Sequence, residues 1–358
     1  MLHTKDLQSN VIDFLRFPLI VGVLFIHNST QTVATATAEF GNADYLPIHY
    51  VCSELFSQIL GRVAVPLFFF ISGFLFFLNL ESFNKKCYKE KLCRRVKTLL
   101  IPYLFWNIAT IAFFYSALKI PSLSIWFSKS YEFDMQHILK SFWAYPIAYQ
   151  FWFIRDLMVI VVLTPLIYLY TKNVKIYGII ALGILWFTGC WFKFIDGHGL
   201  SIASLFFFSA GAWFSINRKN LIMGTDKVKY LSFALYPVLA VIDLLTKKYS
   251  YNIYVHHAGI IVGIAFWFNA AAYLLKTEKV KVNRFLAASS FFVFAIHDNW
   301  LLSPVRKILF AVLKPESDVA LTALYFLIVA IVATIALILY YFLRKFVPKF
   351  TKVITGGR

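Results

Sequence analysis

Long apolar segments separated by short polar connections run through this chain from end to end. A helix needs about 20 apolar residues to cross a hydrocarbon core about 30 Å thick. The pattern therefore predicts an all-α, polytopic membrane protein with about ten transmembrane helices. We place these helices at 11–30, 55–80, 99–118, 150–171, 175–195, 200–216, 229–246, 254–275, 285–306 and 319–343.

The composition supports a membrane protein. The 358-residue chain is 60% hydrophobic and its mean hydropathy is +0.71, whereas soluble domains are about 45–50% apolar. No internal repeat, low-complexity tract or linker divides the sequence. We therefore expect a single integral-membrane domain over residues 1–358, with no separate extracytoplasmic domain.

The distribution of charge predicts the orientation. The net charge is +18, and the basic residues cluster in connections on alternate sides of the apolar segments. With a cytoplasmic N-terminus, 23 of the 35 Lys and Arg residues face the cytoplasm and nine face outward. Because cytoplasmic loops carry an excess of Lys and Arg, we expect both termini in the cytoplasm and no nucleic-acid partner. The four cysteines lack metal-site spacing, and no metal site is predicted.

The first helix carries the polar residues on which we place the chemistry. Arg16 and His27 are eleven residues apart, so they share a helix face and lie roughly 16 Å apart along the axis. If residue 16 sits at one membrane surface, residue 27 lies near mid-bilayer. A neutral imidazole there suits general-base chemistry, Asp13 can pair with Arg16, and Asn28 follows directly. The alternative is a buried structural histidine and an arginine that reaches the headgroups; we favour function.

Five ordered motifs together resemble the acyltransferase 3 family of membrane O-acyltransferases. They are Arg16 with ten intervening residues before His27, Arg62-x-x-x-Pro-Leu-Phe-Phe-Phe-Ile-Ser-Gly-Phe, the basic entry Lys91–Tyr103, the aromatic start Phe151–Leu157 and Ser290–His297. The likeness extends from about residue 8 to residue 345. Pro18 and Ala64 depart from the family pattern, where a small residue and a glycine are common.

This resemblance implies transfer of an acyl group, expected to be acetyl, from acyl-CoA to a hydroxyl of an envelope polysaccharide or glycolipid. It implies His27 as the catalytic residue, with Arg16 as its companion. It also implies acyl-CoA as co-substrate without a tightly bound cofactor, and a place in the bacterial inner membrane. The sequence leaves open whether His27 acts as general base or transient acyl carrier.

Two other functions fit a membrane chain with intramembrane polar groups. A secondary transporter or flippase for a glycan or small polar solute would also place such groups near the midplane. A sensor of a small ligand or lipid, without turnover, is the third hypothesis. The sequence predicts no oligomeric state.

Further residues are candidates for binding the donor or the acceptor. Arg62 lies several residues inside the second helix. Arg94 and Arg95 are nearest the membrane in the basic run from 85 to 97, and arginine forks suit the phosphates of CoA; for the run as a whole we favour topology signalling. Arg155 and Asp156, near the outer end of helix four, are equally suited to binding acceptor hydroxyls or to anchoring on lipid phosphate.

Three more histidines complete the candidates. His297 in the penultimate helix is a candidate for binding the acceptor or orienting His27, although we favour a polar contact between helices. His256 and His257 begin a helix at the outer surface, where we expect them to be solvated.

Overall fold

The structure, a computed structural model, describes residues 4–29, 48–80, 82–120, 135–144, 146–192, 195–196 and 198–357. These residues form helices and no strand, which confirms the all-α prediction. The helices are α1 (Thr4–His27), α2 (Ile48–Phe77), α3 (Lys85–Leu118), α4 (Met135–Ser141), α5 (Trp152–Val162), α6 (Thr164–Thr188), α7 (Ile202–Ile216), α8 (Leu221–Asp226), α9 (Lys229–Thr246), α10 (Asn252–Lys276), α11 (Arg284–Leu313), α12 (Asp318–Phe346) and α13 (Pro348–Ile354).

Seven of these helices are long and apolar enough to cross a membrane, namely α1, α2, α3, α9, α10, α11 and α12. The α5–α6 pair, bent by 65°, adds an eighth if it counts as one span. Large apolar side chains such as Leu166, Ile184 and Val238 are more than half exposed, as lipid-facing surfaces require. The chain is therefore a polytopic membrane protein. The described residues hold seven or eight spans beside the about ten predicted, and α7, with 15 residues, is too short to count among them.

Helix α6 is interrupted at Lys175, whose backbone is non-helical (φ 58°, ψ −138°). The Tyr170 hydroxyl donates to the Gly178 carbonyl at 2.9 Å. Residues eight apart in a straight helix are separated by about 12 Å along the axis, so the chain turns sharply at Lys175. The boundary between two of the predicted spans, 150–171 and 175–195, lies next to this interruption.

The basic segment that precedes the third predicted span is helical in the structure. Asn84 caps its start by accepting a hydrogen bond from the Cys87 amide at 2.9 Å. The helix then passes through a π-helical segment, Val96–Leu100, into the apolar part of α3. Side-chain capping, which satisfies an otherwise unpaired amide, explains why α3 begins well before the apolar residues do.

The chain divides into two compact units, each built from separate stretches of sequence. Unit 1 comprises Met1–Leu67, Lys219–Val293 and Trp300–Leu337. Within it α1 packs on α10 and on the first half of α2, and α9 packs on α10. Gly22 and Gly61 allow α1 and α2 to approach, since a Cβ on Gly61 would lie 2.8 Å from the Gly22 carbonyl oxygen.

Unit 2 comprises Phe68–Arg218, Phe294–Asn299 and Ile338–Arg358. Here the second half of α2 packs on α7 through two glycines. A Cβ on Gly73 would overlap the carbonyl of Phe208, and a Cβ on Gly211 would overlap that of Phe70. Small residues at such crossings are typical of membrane helices. The prediction that the whole chain is one domain stays a prediction.

We predict that Gly211→Ala lowers the thermal unfolding midpoint of the detergent-solubilised protein, because an added methyl overpacks the α2–α7 crossing by about 1–3 kcal/mol. Gly259→Ala is the matched control, since a Cβ at Gly259 has no neighbour within 4 Å. A midpoint for Gly211→Ala equal to that of Gly259→Ala would contradict the packing argument.

Candidate functional site

His27 is the last residue of α1. The helix begins at Thr4, seven residues before the predicted start, and its 24 residues span about 36 Å. Arg16 consequently lies near the middle of the helix, because the polar residues preceding the apolar segment are already helical. The position of His27 within the bilayer stays a prediction.

The C-terminal end of α1 is held by an arginine from α11. Arg306 Nη2 donates to the His27 carbonyl at 2.9 Å and to Asn28 Oδ1 at 3.2 Å. The last carbonyls of a helix lack intrahelical donors and carry partial negative charge, so a guanidinium both pairs with them and neutralises them. Arg306 is not among the predicted site residues, because the predicted span ends at it, whereas the helix continues to Leu313.

Further hydrogen bonds fix the last turn of α1 within unit 1. Asn28 is fully buried, and its Nδ2 donates to the Tyr325 carbonyl at 2.9 Å. Ser57 Oγ donates to the Phe25 carbonyl at 2.5 Å and lies 2.6 Å from the Tyr325 hydroxyl. Ser57 belongs to the π-helical segment Glu54–Leu60, a type of irregularity that is frequent at functional sites. The backbone that carries His27 is thus fixed by α2, α11 and α12.

A second histidine, His49, packs against the same tyrosine. It lies in the first turn of α2, is 7% exposed, and its ring meets Tyr325 edge-on with centroids 5.8 Å apart. Asp318, at the start of α12, accepts hydrogen bonds from the backbone amides of Ile48 at 2.6 Å and His49 at 3.1 Å. His49 is not among the predicted site residues, because it precedes the predicted start of the second span at residue 55.

The predicted pair of Asp13 and Arg16 is confirmed, with Arg16 Nη1 3.1 Å from Asp13 Oδ1. Both side chains are about one third exposed. Arg16 is separated from His27 by roughly 16 Å along α1, which is too far for its side chain to contact the imidazole. The structure therefore does not bring the predicted companion residue to the catalytic candidate.

Arg62 lies in a 3₁₀-helical segment, Gly61–Val63, in the middle of α2. Its side chain is exposed, and Nε and Nη2 donate to Gln58 Oε1 at 2.9 and 2.7 Å. This pairing on one helix face holds the guanidinium along α2.

Arg94 and Arg95 lie at the junction of the basic and apolar parts of α3, in unit 2. Arg94 is exposed, and Arg95 Cζ lies 5.8 Å from the centroid of the Phe76 ring. Lys91 donates to the Phe76 carbonyl at 2.5 Å, next to the end of α2. The side chain of Arg94 is therefore more accessible to an anionic ligand than that of Arg95.

Arg155 and Asp156 are buried and paired, with Arg155 Nη2 3.0 Å from Asp156 Oδ1. Arg155 Nη1 also donates to the carbonyls of Trp143 at 3.1 Å and Ala144 at 3.2 Å. The carboxylate accepts a further hydrogen bond from Ser201. Arg155 and Asp156 are neighbours in sequence that a straight helix would point in different directions, yet their side chains form an ion pair. Through Arg155 this pair also holds the backbone at residues 143 and 144.

A cavity of about 440 Å³ lies beside this pair in unit 2. Tyr149, which is 63% exposed, and Trp152 supply aromatic walls, and Asp196 and Ser201 supply polar groups. Partial desolvation raises the pKa of the Asp196 carboxyl, and the positive charge of Arg155 opposes that rise. Aromatic faces combined with a few convergent polar groups are typical of ligand sites.

His297 is fully buried at the start of a π-helical segment, His297–Leu302, and Nδ1 donates to the Phe294 carbonyl at 2.7 Å. Residues beside it make polar contacts within unit 2. Gln150 Nε2 donates to the Ala295 carbonyl at 3.1 Å, and Asn299 Nδ2 donates to the Ile147 carbonyl at 3.0 Å. These contacts agree with the polar helix contact favoured for this segment.

His256 is not simply solvated, contrary to expectation. Its Nδ1 lies 2.7 Å from Oδ2 of Asp243, a carboxylate that is 2% exposed. Asn252 Nδ2 donates to the same carboxylate at 2.9 Å, and Lys247 lies 3.1 Å from it and 3.5 Å from Glu54. Burial of Asp243 explains the cluster, because a buried charge requires partners.

In unit 1 the structure brings together His27, Asn28, His49, Ser57, Tyr325 and Arg306. In unit 2 it brings Arg155 and Asp156 to the aromatic cavity. The described residues contain no group of three or more His, Cys, Asp or Glu that could hold a metal ion.

Comparison with known proteins gives the family. The sequence pattern of the acyltransferase 3 family, described as an acyltransferase domain, matches residues 10–350. A curated relative, the succinoglycan biosynthesis protein ExoH of Rhizobium meliloti (strain 1021), is 27% identical over 225 residues, which are 59% of this chain and 55% of that protein. The chain therefore spans about half the length of this relative. No solved structure matches. Because the family pattern covers nearly the whole chain, this protein belongs to the acyltransferase 3 family.

Proposed function

We propose that the protein transfers an acyl group, with acetyl as the first expectation, from acyl-CoA to a hydroxyl of an envelope polysaccharide or glycolipid. The observation that carries this proposal is a histidine fixed at the end of the first spanning helix in a chain of acyltransferase sequence. The relative named for succinoglycan biosynthesis favours a polysaccharide as acceptor. The bacterial inner membrane is the proposed location.

His27 can serve the reaction in two ways. As general base, its imidazole takes the proton of the acceptor hydroxyl, whose oxygen attacks the thioester carbonyl while the carbon–sulfur bond breaks and the CoA thiolate leaves. As acyl carrier, the imidazole nitrogen attacks the thioester first and passes the acyl group on afterwards. Rapid-quench trapping of labelled acyl on His27 distinguishes the two routes.

The predicted orientation assigns donor and acceptor to different ends. With the N-terminus in the cytoplasm, the His27 end of α1 is the outer end, where an envelope glycan is accessible. We propose that the cytoplasmic Arg94 and Arg95 bind the phosphates of acyl-CoA. Arg16, midway along α1, would provide a positive charge beside the path of the acyl group toward His27.

We propose that the cavity beside Arg155 and Asp156 binds a sugar ring of the acceptor glycan. Tyr149 and Trp152 offer aromatic faces on which the apolar side of a sugar ring can pack. The Asp196 carboxylate can accept hydrogen bonds from the hydroxyls of the sugar. Arg155 and Asp156 position the cavity wall, since their hydrogen-bonding groups are already engaged with each other and with the chain.

We predict that His27→Ala lowers acetyl-CoA-dependent release of free CoA by the purified protein by about 100-fold or more, because it removes the base or carrier. His257→Ala is the control and should retain the activity. Undiminished CoA release by His27→Ala would contradict the assignment, and solute movement without any CoA dependence would favour a transporter.

Arg306→Gln is expected to lower kcat by about 10- to 100-fold, since a hydrogen bond from a charged group contributes about 1.5–3 kcal/mol. The KM for acyl-CoA should stay unchanged, because Arg306 holds the backbone of His27 and not the donor. The neighbouring variant Lys307→Gln is the control. A rise in KM with unchanged kcat would show that Arg306 binds the donor instead.

Tyr149→Ala is expected to raise the KM for acceptor material extracted from the producing cells by about fivefold or more, because a stacking face worth about 1 kcal/mol is lost. The KM for acyl-CoA should not change. Tyr177→Ala, at a tyrosine that is 74% exposed elsewhere in unit 2, is the control. An equal rise in the KM values of both substrates would contradict the proposal that this cavity binds the acceptor.

A further inference from the structure

We propose that His49 is a second catalytic histidine, which binds the acceptor hydroxyl and takes its proton while His27 carries the acyl group. This inference rests on the proposed function and deepens it, because it divides the reaction between two imidazoles. The group that His49 would bind is an alcohol of the acceptor glycan.

The unmet hydrogen-bonding capacity of His49 points to a ligand. The residue is 7% exposed, and neither ring nitrogen has a hydrogen-bond partner in the part of the chain that is described. Buried polar groups are nearly always hydrogen-bonded, and one left unmet costs about 1–3 kcal/mol. A neutral imidazole has one donor and one acceptor nitrogen. An alcohol can donate its hydroxyl hydrogen to the acceptor nitrogen, which is the nitrogen that would take the proton.

The ring is held in place by its surroundings. The two carboxylate oxygens of Asp318 accept hydrogen bonds from the backbone amides of Ile48 and His49, in the first turn of α2. A carboxylate at a helix N-terminus is a stabilising arrangement, because the amides there lack intrahelical partners. The edge-on contact with Tyr325 restrains the imidazole from another side. His49 is therefore positioned, as general-base chemistry requires.

Tyr325 links His49 to the end of α1. Its ring contacts His49, and its hydroxyl lies 2.6 Å from Ser57 Oγ, which donates to the Phe25 carbonyl. Its own carbonyl accepts from Asn28, the residue after His27. Tyr325 thus contacts His49 through its ring and the residue after His27 through its carbonyl. His256 differs from His49, because its Nδ1 is already engaged with Asp243.

The proposed sequence of steps balances. The imidazole of His27 attacks the thioester carbonyl, the carbon–sulfur bond breaks, and the CoA thiolate leaves. The acceptor hydroxyl then loses its proton to His49 while its oxygen attacks the acyl carbon, and the carbon–nitrogen bond to His27 breaks. The proton on His49 passes through solvent to the CoA thiolate, so the products are an ester and free CoA.

The test uses membranes from producing cells, labelled acetyl-CoA and His49→Gln, with His257→Gln as the matched control. Label transferred to alkali-labile glycan should fall by about 100-fold or more in His49→Gln and stay unchanged in the control. Acetyl-CoA binding to the purified variant should remain within about twofold of wild type. Label should accumulate on His27 of His49→Gln after rapid quench, because only the second step is lost.

Several results would overturn the inference. Glycan labelling by His49→Gln within about threefold of wild type, or no label trapped on His27, would do so. Loss of acetyl-CoA binding in both His49→Gln and His49→Ala would show that His49 supports the fold. Added imidazole should restore labelling to His49→Ala, and failure to do so counts against a proton-transfer role. If His27→Ala labels glycan as wild type does, the proposed function itself fails; an inactive His27→Ala beside an active His49→Gln defeats this inference alone.

Discussion

The end of a spanning helix needs donors for its last carbonyls, and the arrangement around His27 depends on this constraint. The last four carbonyls of a helix have no donor within the helix, so other groups must pair with them. Arg306 and Ser57 donate to carbonyls in the last turn of α1. Asn28, the residue that follows the helix, donates to the Tyr325 carbonyl. The same hydrogen bonds that complete the helix therefore also fix the backbone that carries His27.

Much of the fold could be predicted from the sequence, because apolar segments of spanning length are unambiguous. The bounds of α9 agree with the predicted 229–246, and those of α10 and α12 agree within a few residues. The i,i+3 pair of Asp13 and Arg16 was also predictable, since it depends only on local spacing. The start of α1 was not, because hydrophobicity does not mark a helical segment made of polar residues.

The contacts that build the site could not be read from the chain. Arg306 meets His27 across 279 residues, and Asp318 meets His49 across 269. Single-sequence periodicity carries no information at such separations. Three π-helical segments in the described part of the chain add a further difficulty, because a wider turn changes which residues share a face. They lie at Glu54–Leu60, Val96–Leu100 and His297–Leu302, at or next to candidate residues that a 3.6-residue period would misplace.

The distance in sequence between His27 and Arg306 has a consequence for biosynthesis. Chains leave the ribosome at about 5–20 residues per second, so α1 waits for at least several seconds before the residue that caps it exists. During that interval the carbonyls at its end must be paired by headgroups or by the insertion machinery. The backbone of His27 consequently acquires its final hydrogen bond only after nearly the whole chain has been synthesised.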